Sequence, residues 1–320
     1  MRNRESNRKW PAASVVSALV LCLAAWVQAQ PPAARPAAPP RPRINLREGP
    51  KVLRDLTFAR AGDKPLLLDL YLPEKSEGSL PLVVWIHGGG WSGGDKQPCP
   101  AAWMAGRAYA VASVNYRLSG EATWPAQIED CKAAIRWLRA NAKKYNYDSD
   151  RIGAWGSSAG GHLAALLGTS GDVRELEGAL GNPEQSSHVQ AVCDFFGPAD
   201  LLQLVAQEGP VHPGARNPVE RLIGGPLEEN KDKLKQASPI SYVTADDAPC
   251  LIVHGDKDEL VPLRQSELLH EALKKAGVET HLHVVKGAGH GFPPNPEVLS
   301  MVAEFFDRHL KNGDAKPQKE

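Results

Sequence analysis

Residues 156–160, Gly-Ser-Ser-Ala-Gly, place Ser158 where a serine hydroxyl can act as a nucleophile. The preceding residues 151–155 have the apolar composition of a buried strand, and residues 161–167 have that of a helix. A G-x-S-x-G motif between a strand and a helix is typical of a nucleophile elbow, a tight turn whose flanking glycines avoid clashes with neighbouring chains. A glycine-rich turn with a chemically inert serine is the alternative. The setting favours Ser158 as the nucleophile.

A serine hydroxyl needs a base to accept its proton, and the chain has ten histidines. His290 lies in a glycine-rich loop, residues 287–291, directly after the last predicted strand. Open parallel sheets form their active sites in the loops at the carboxyl ends of the strands. His162 follows Ser158 too closely along the predicted helix to face it, and we expect it to be a packing residue. His290 is therefore the predicted base.

The base in turn needs a carboxylate that orients it and stabilises its protonated form. Two candidates, Asp256 and Asp258, follow the strand predicted at residues 250–254. We favour Asp258, which lies further into the loop, and expect Asp256 to brace the turn through its own backbone. The resulting order of Ser158, Asp258 and His290 along the chain is the order found in α/β-hydrolases.

Three consecutive glycines, residues 88–90, follow the strand predicted at residues 82–87. Glycines let backbone N–H groups approach a substrate closely, and the α/β-hydrolase fold takes one set of oxyanion donors from this position. We expect the oxyanion hole to consist of the N–H groups of Gly89, Gly90 and Ala159.

Two large side chains flank these glycines. We expect His87 to brace the loop through hydrogen bonds, with a catalytic role as the alternative. Trp91 is predicted to bind substrate as a wall of the acyl pocket, and a packed core indole is the alternative.

The sequence predicts neither a metal nor a cofactor. His281 and His283 alternate on a predicted strand and could share a face, but no third ligand is evident. No phosphate-binding loop, nucleotide fingerprint or zinc-ligand spacing occurs in the chain.

The elements that must position these residues alternate between strands and helices. Eight strands are predicted, at residues 52–58, 66–72, 82–87, 108–115, 151–155, 189–195, 250–254 and 280–285. The clearest helices are predicted at residues 125–144, 263–276 and 296–310. This alternation predicts an α/β fold: a mostly parallel sheet of about eight strands, flanked by helices and begun by an antiparallel hairpin. Residues 197–247, rich in Pro, Gly and charge, predict a small insertion after the sixth strand that forms a cap or lid.

The two ends of the chain differ in composition from the part predicted to fold. Basic residues between positions 2 and 9 precede an apolar run at residues 12–27, which predicts a signal peptide and a secreted or periplasmic protein. A retained signal anchor is the alternative. The predicted boundaries are 1–29 for the signal peptide, 30–46 for a Pro/Ala-rich linker, 47–312 for the α/β domain and 313–320 for a polar tail.

Charge and cysteine content exclude some partners and leave others open. The chain has 37 basic and 37 acidic residues, so no nucleic-acid partner is predicted. The apolar run is too short to predict stable membrane insertion after processing. Four cysteines follow it, Cys99, Cys131, Cys193 and Cys250. Buried free thiols are favoured for Cys193 and Cys250, which lie in apolar, strand-like segments, and a disulfide among the four stays an alternative. The oligomeric state is not predicted.

About 250 residues, from 57 to 310, resemble the bacterial carboxylesterase and acetyl-esterase branch of the α/β-hydrolases, which is related to hormone-sensitive-lipase-like enzymes. The resemblance is carried by residues 87–91 (HGGGW), 115–118 (NYRL), 150–152 (DRI), 156–161 (GSSAGG), 196–201 (FGPADL), 238–240 (SPI) and the loops of Asp258 and His290. Two departures matter. Ser157 stands where many relatives carry Asp or Glu, and the N-terminal cap of larger lipases is missing, which favours small acyl groups.

The resemblance implies hydrolysis of short acyl or aryl esters through an acyl-enzyme. Acetylated xylan and feruloylated side chains of plant polysaccharide are the candidate substrates, so the expected partner is a small-molecule or polysaccharide ester. Amide cleavage is one alternative, because aryl formamidases and prolyl-oligopeptidase-like peptidases share this triad. A non-catalytic binding module is another, although such proteins usually lack a triad member.

Overall fold

A computed structural model describes residues 49–207, 217–292 and 295–311. The signal peptide, linker and polar tail predicted above lie outside these residues. Among the described residues, no helix is long and apolar enough to cross a membrane.

Eight strands form a single sheet in the part of the chain that the structure describes. They are β1 (Lys51–Ala61), β2 (Lys64–Leu72), β3 (Leu80–Ile86), β4 (Ala110–Val114), β5 (Tyr147–Ser157), β6 (Ala191–Phe195), β7 (Cys250–Gly255) and β8 (Thr280–Val285). Their order is β1-β2-β4-β3-β5-β6-β7-β8. β2 is antiparallel to both of its neighbours, and every other pair is parallel. The predicted mostly parallel sheet that begins with an antiparallel hairpin is confirmed.

The central strand β3 shows how the sheet is covered on both faces. All seven of its residues are buried. Leu82, Val84 and Ile86 pack into one hydrophobic core, and Val83 and Trp85 pack into a second core on the opposite face. A continuous apolar run is typical of a parallel strand that has helices on both sides.

Seven α-helices accompany the strands in the described residues. They are α1 (Ala126–Tyr145), α2 (Ala159–Thr169), α3 (Leu201–Gln207), α4 (Pro218–Ile223), α5 (Lys231–Gln236), α6 (Arg264–Ala276) and α7 (Pro296–Phe306). Residues of α1, α2 and α6 belong to the first core, and Val298, Val302 and Phe306 of α7 belong to the second. Gly277 ends α6 in the left-handed conformation, as expected. α7 ends earlier than predicted, because Asp307–Lys311 form a wider π-helical turn.

The described part of the predicted insertion contains the short helices α3, α4 and α5. α4 begins with Pro218, and a Cβ added to Gly90 would lie 3.3 Å from the Cβ of Pro218. The insertion therefore touches the glycine loop that follows β3.

All four described cysteines are free thiols. Cys131, Cys193 and Cys250 are buried and Cys99 is half-buried. The disulfide alternative is therefore not realised in this fold.

Candidate active site

Ser158 occupies a strained turn between β5 and α2. Its φ and ψ angles are 56° and −122°, in a region that residues other than glycine rarely adopt. A Cβ at Gly156 would overlap the backbone of Gly160, and a Cβ at Gly160 would overlap the carbonyl oxygen of Ile86. The backbone N–H of Ser158 donates to the carbonyl of Phe195, at 2.8 Å, and fixes the turn to β6. Both glycines of the motif are therefore required by close backbone packing.

A chain of two hydrogen bonds connects Ser158 to a carboxylate. The Ser158 hydroxyl lies 2.9 Å from Nε2 of His290, and Nδ1 of His290 lies 2.7 Å from Oδ2 of Asp258. In the neutral tautomer that satisfies both contacts, Nδ1–H donates to Asp258 and Nε2 accepts from Ser158. This is the arrangement in which an imidazole can take a proton from a serine. The three residues predicted from separate loops are brought together.

Asp258 accepts four hydrogen bonds. The backbone N–H groups of Leu260 and Val261 donate to Oδ1, each at 2.9 Å, while His290 and His254 contact Oδ2. Burial alone would raise the pKa of this carboxyl, but the hydrogen bonds from His254, His290 and Val261 hold its pKa well below the ordinary value. Asp258 is therefore a charged carboxylate beside the imidazole.

His254 is a member of this network that the sequence analysis assigned no role. Its ring is fully buried at the end of β7. Nε2 lies 2.8 Å from the carbonyl oxygen of Val261 and 3.2 Å from Oδ2 of Asp258, and Nδ1 lies 2.6 Å from the Ser266 hydroxyl. The only signal for it in the sequence is its place at the end of a predicted strand, four residues before Asp258.

Asp256 does not contact His290, and the expectation that it braces its own turn is wrong. Its Oδ1 accepts from the backbone N–H of Gly287, at 2.6 Å. Gly287 belongs to the loop that carries His290. Asp256 therefore ties the two loops of the site together, and Asp258 contacts the base, as we favoured.

The glycine loop after β3 lies against the nucleophile. A Cβ at Gly88 would come within 2.8 Å of the Ser157 carbonyl oxygen and 3.3 Å of the Ser158 Cβ. Gly89 and Gly90 have φ angles of 113° and 57°, which favour glycine. Within the described ranges, the N–H groups of Gly89, Gly90 and Ala159 have no hydrogen-bond partner. These free donors are the groups that the sequence predicted for an oxyanion hole.

The side chains of His87 and Tyr116 support the glycine loop. His87 stacks on Tyr116, with ring centroids 4.4 Å apart, and contacts the carbonyl of Gly88 through Nδ1, at 2.8 Å. Burial lowers the pKa of His87, which keeps the ring neutral. The Tyr116 hydroxyl donates to the His87 carbonyl, at 3.0 Å. His87 thus has the bracing contacts expected of it.

Trp91 is buried, with 3% of its surface exposed. Its indole N–H donates to Nδ1 of His162, at 3.1 Å, and Nε2 of His162 donates to the carbonyl of Ala237, at 2.6 Å. Burial lowers the pKa of His162 to about 4, so this ring is neutral. Trp91 corresponds to the packed-core alternative and not to an exposed wall of the acyl pocket, because its polar atom and its surface are both used inside the fold.

The G-x-S-x-G pattern occurs a second time, at residues 90–94, with Ser92 at its centre. This copy follows the glycine loop and no helix begins after it. No histidine is hydrogen-bonded to Ser92 in the part of the chain that the structure describes. The pattern therefore marks a nucleophile only where a strand and a helix enclose it.

Comparisons with known proteins agree with this fold. The BD-FAE family model matches residues 68–273. Esterase LipQ of Mycobacterium tuberculosis is 34% identical over 256 residues, which cover 78% of this chain and 60% of LipQ. The chain spans roughly half to three fifths of the length of the mycobacterial esterases that it matches.

Two solved structures are similar over most of the chain. A truncated carbohydrate esterase from gut microbiota is 34% identical, with a TM-score of 0.75, and covers 82% of this chain and all of that one. A bifunctional GH43-CE protein of Bacteroides eggerthii is 39% identical, with a TM-score of 0.74, over 81% of this chain and 38% of that one. The chain therefore has the α/β-hydrolase fold and belongs to the BD-FAE family.

Proposed function

We propose that the protein is a serine carboxylesterase in which Ser158, His290 and Asp258 act as a catalytic triad. One observation carries the proposal: the hydrogen-bonded series from the Ser158 hydroxyl through His290 to Asp258 lies beside three backbone N–H groups that have no partner among the described residues. A base, a charged partner for the base and an oxyanion site are together what acyl transfer to a serine requires. LipQ, a relative of this chain, is named as an esterase.

In the first half of the reaction, Oγ of Ser158 attacks the ester carbonyl and Nε2 of His290 takes the hydroxyl proton. Asp258 stabilises the imidazolium that forms, through the hydrogen bond to Nδ1. The N–H groups of Gly89, Gly90 and Ala159 stabilise the negative oxygen of the tetrahedral intermediate. One such donor is worth about 3 kcal/mol in a water-excluded site. The intermediate then expels the alcohol, which receives the proton from His290.

The second half of the reaction removes the acyl group. A water molecule gives a proton to His290 as its oxygen attacks the acyl-enzyme carbonyl. The same three N–H groups hold the oxyanion, and collapse of this intermediate returns the proton to Ser158 and releases the carboxylic acid. Both halves use one base and one oxyanion site.

The proposed substrates are acetyl or feruloyl esters of plant polysaccharide, and the proposed location is secreted or periplasmic. Membership of the BD-FAE family, similarity to a protein named as a carbohydrate esterase and similarity to the bifunctional GH43-CE protein support the substrate class. The basic start and apolar run of residues 2–27 support export.

The test is turnover of acetylated xylo-oligosaccharide, methyl ferulate and p-nitrophenyl acetate, together with the matching anilide, by the wild type and Ser158→Ala. We expect the variant to lose at least about 1,000-fold in kcat on each ester and to lose covalent labelling by a fluorophosphonate. Ser157→Ala, which leaves the series of hydrogen bonds intact, is the matched control. Undiminished turnover in Ser158→Ala would overturn the proposal, and faster cleavage of the anilide than of the ester would favour an amidase.

A further inference from the structure

A cleft of about 910 Å³ opens beside the glycine loop that follows β3. Three segments line it: Ser92 just after the glycines, the loop of residues 119–123 that leads to α1, and residues 220–226 of α4 and the turn after it. None of these segments contributes a residue to the series of hydrogen bonds from Ser158 to Asp258. The cleft is therefore a separate surface next to the reacting centre.

The walls of this cleft are held together by direct contacts. The N–H of Ser119 donates to the carbonyl of Trp91, at 2.7 Å, and the N–H of Trp124 donates to the carbonyl of Leu222, at 2.7 Å. Pro218, at the start of α4, packs on Gly90. Because each wall is tied to the next, the shape of the cleft is formed before any ligand binds, and a ligand need not order it.

The side chains that face the cleft are polar and mostly unpartnered. Within the described residues, Glu220 and Arg221 have no side-chain hydrogen bond or ion pair. The hydroxyl oxygen of Ser119 is buried and also lacks a partner there. Thr123 and Ser92 add two more hydroxyl groups, and three glycines leave space between them. Among the described residues, no aromatic or large aliphatic side chain lines the cleft, and Pro226 is its one apolar side chain.

This lining suits a polyhydroxylated ligand. A carboxylate accepts from two adjacent hydroxyls, a guanidinium donates to ring and hydroxyl oxygens, and serine or threonine hydroxyls do both. Neighbouring charges of opposite sign disfavour a ligand with a large net charge.

The position of the cleft indicates which part of an ester it binds. Gly88 packs on Ser158, and Ser92 lies only four residues further along the same short loop. An ester carbonyl held at Gly89 and Gly90 can therefore extend one of its substituents over the loop and into the cleft. We infer that this cleft, lined by Ser92, Ser119, Thr123, Glu220 and Arg221, is the subsite for the sugar that forms the alcohol part of the substrate. The inference rests on the proposed esterase function.

The test compares two esters that share an acetyl group and differ in the alcohol: acetylated xylotriose and p-nitrophenyl acetate. The measured quantity is the ratio of kcat/KM for the sugar ester to kcat/KM for the aryl ester. We expect this ratio to fall about tenfold in the double variant Glu220→Gln/Arg221→Ala, because the variant loses about two hydrogen bonds to the sugar, each about as strong as a bond between neutral groups. Matched controls are Glu229→Gln and Lys235→Ala, exposed charges outside the cleft, which should leave the ratio unchanged.

A second measurement removes catalysis from the comparison. Calorimetry measures the affinity of Ser158→Ala for acetylated xylotriose. We expect this affinity to fall by a similar factor when Glu220→Gln and Arg221→Ala are added to the Ser158→Ala protein. An unchanged ratio together with unchanged binding would overturn the subsite while leaving the esterase intact. Absence of turnover of both esters by the wild type would instead overturn the proposed function.

Discussion

Asp258 is the most constrained residue of the site, because both of its oxygens are fully used. Two backbone N–H groups of its own loop fix Oδ1, and two histidines contact Oδ2. A carboxylate held this way keeps its negative charge and its direction toward His290. The neighbouring Asp256 has the same side chain but contacts only a backbone N–H of another loop. Asp256 and Asp258 carry the same side chain at different positions, so substituting each in turn tests whether the position beside His290 matters.

Asp258→Asn should lower kcat on p-nitrophenyl acetate by about 10³- to 10⁴-fold, because an amide neither stabilises the imidazolium nor fixes the required tautomer. Stopped-flow measurement of acylation would quantify the loss in the first half of the reaction. Asp256→Asn is the matched control, with an expected loss within about tenfold. A larger loss in Asp256→Asn than in Asp258→Asn would contradict the proposed triad.

His254 should act as a positioning residue for Asp258. In His254→Phe, Asp258 loses one donor, so its carboxylate becomes more basic and binds the proton of His290 more tightly. We expect kcat/KM to fall about tenfold and the acid limb of its pH profile to move to higher pH. His254→Gln, which keeps an N–H group, should restore part of both effects.

The pH profile is the decisive readout for His254, since simple loss of folded protein would lower activity equally at every pH. A stable His254→Phe variant with an unshifted acid limb would show that the ring only fills space between Ser266 and Val261.

At the scale of elements, the turn between β5 and α2 depends on close approach of backbone to backbone. Gly160→Ala should lower the free energy of unfolding by at least about 3 kcal/mol, because its Cβ would overlap the Ile86 carbonyl and no flexible side chain can move aside. Denaturant titration measures this loss. Gly106→Ala, whose Cβ meets nothing within 4 Å, should change stability by about 0.5 kcal/mol or less. Equal stability of the two variants would contradict the packing argument.

The features of the site that could be predicted are those that depend on a local sequence pattern. Ser158, His290 and Asp258 each follow their own strand, and parallel strands bring such loops to one edge of the sheet, so their meeting was predictable. The bond from Asp256 to Gly287 and the contact of His254 with Asp258 depend on how two loops pack. The orientation of Trp91 also depends on packing between segments, because its indole faces inward toward the buried ring of His162. None of these contacts leaves a periodic signal in the sequence.

At the scale of the whole molecule, a buried carboxyl group on β6 makes the stability of the fold depend on pH. Asp194 of β6 is fully buried, and its Oδ1 accepts from the N–H of Gly197, at 2.9 Å. Its Oδ2 has no hydrogen-bond partner in the described part of the chain. Burial raises the pKa of Asp194 to about 6, against the lowering effects of the Gly197 bond and of nearby His254.

A carboxyl whose pKa is higher in the folded state than in the unfolded state binds more protons when folded. Between pH 4 and 6 the contribution of Asp194 to stability therefore decreases as the pH rises, and above pH 6 its ionised form opposes folding. A change from 3.8 to about 6 corresponds to about 3 kcal/mol. Asp194→Asn keeps the shape and the acceptor for Gly197 but cannot ionise.

The difference in unfolding free energy, Asp194→Asn minus wild type, should therefore increase by up to about 3 kcal/mol from pH 4 to pH 7. Taking this difference cancels the pH dependence contributed by groups common to both proteins. One of these is Asp258, whose lowered pKa makes its contribution to stability increase with pH. Urea titrations at a series of pH values measure it, and Asp63→Asn, in an exposed turn, should give a flat difference. A flat line for Asp194→Asn as well would mean that the buried carboxyl has its ordinary pKa, and that the centre of this sheet solvates charge far better than its packing implies.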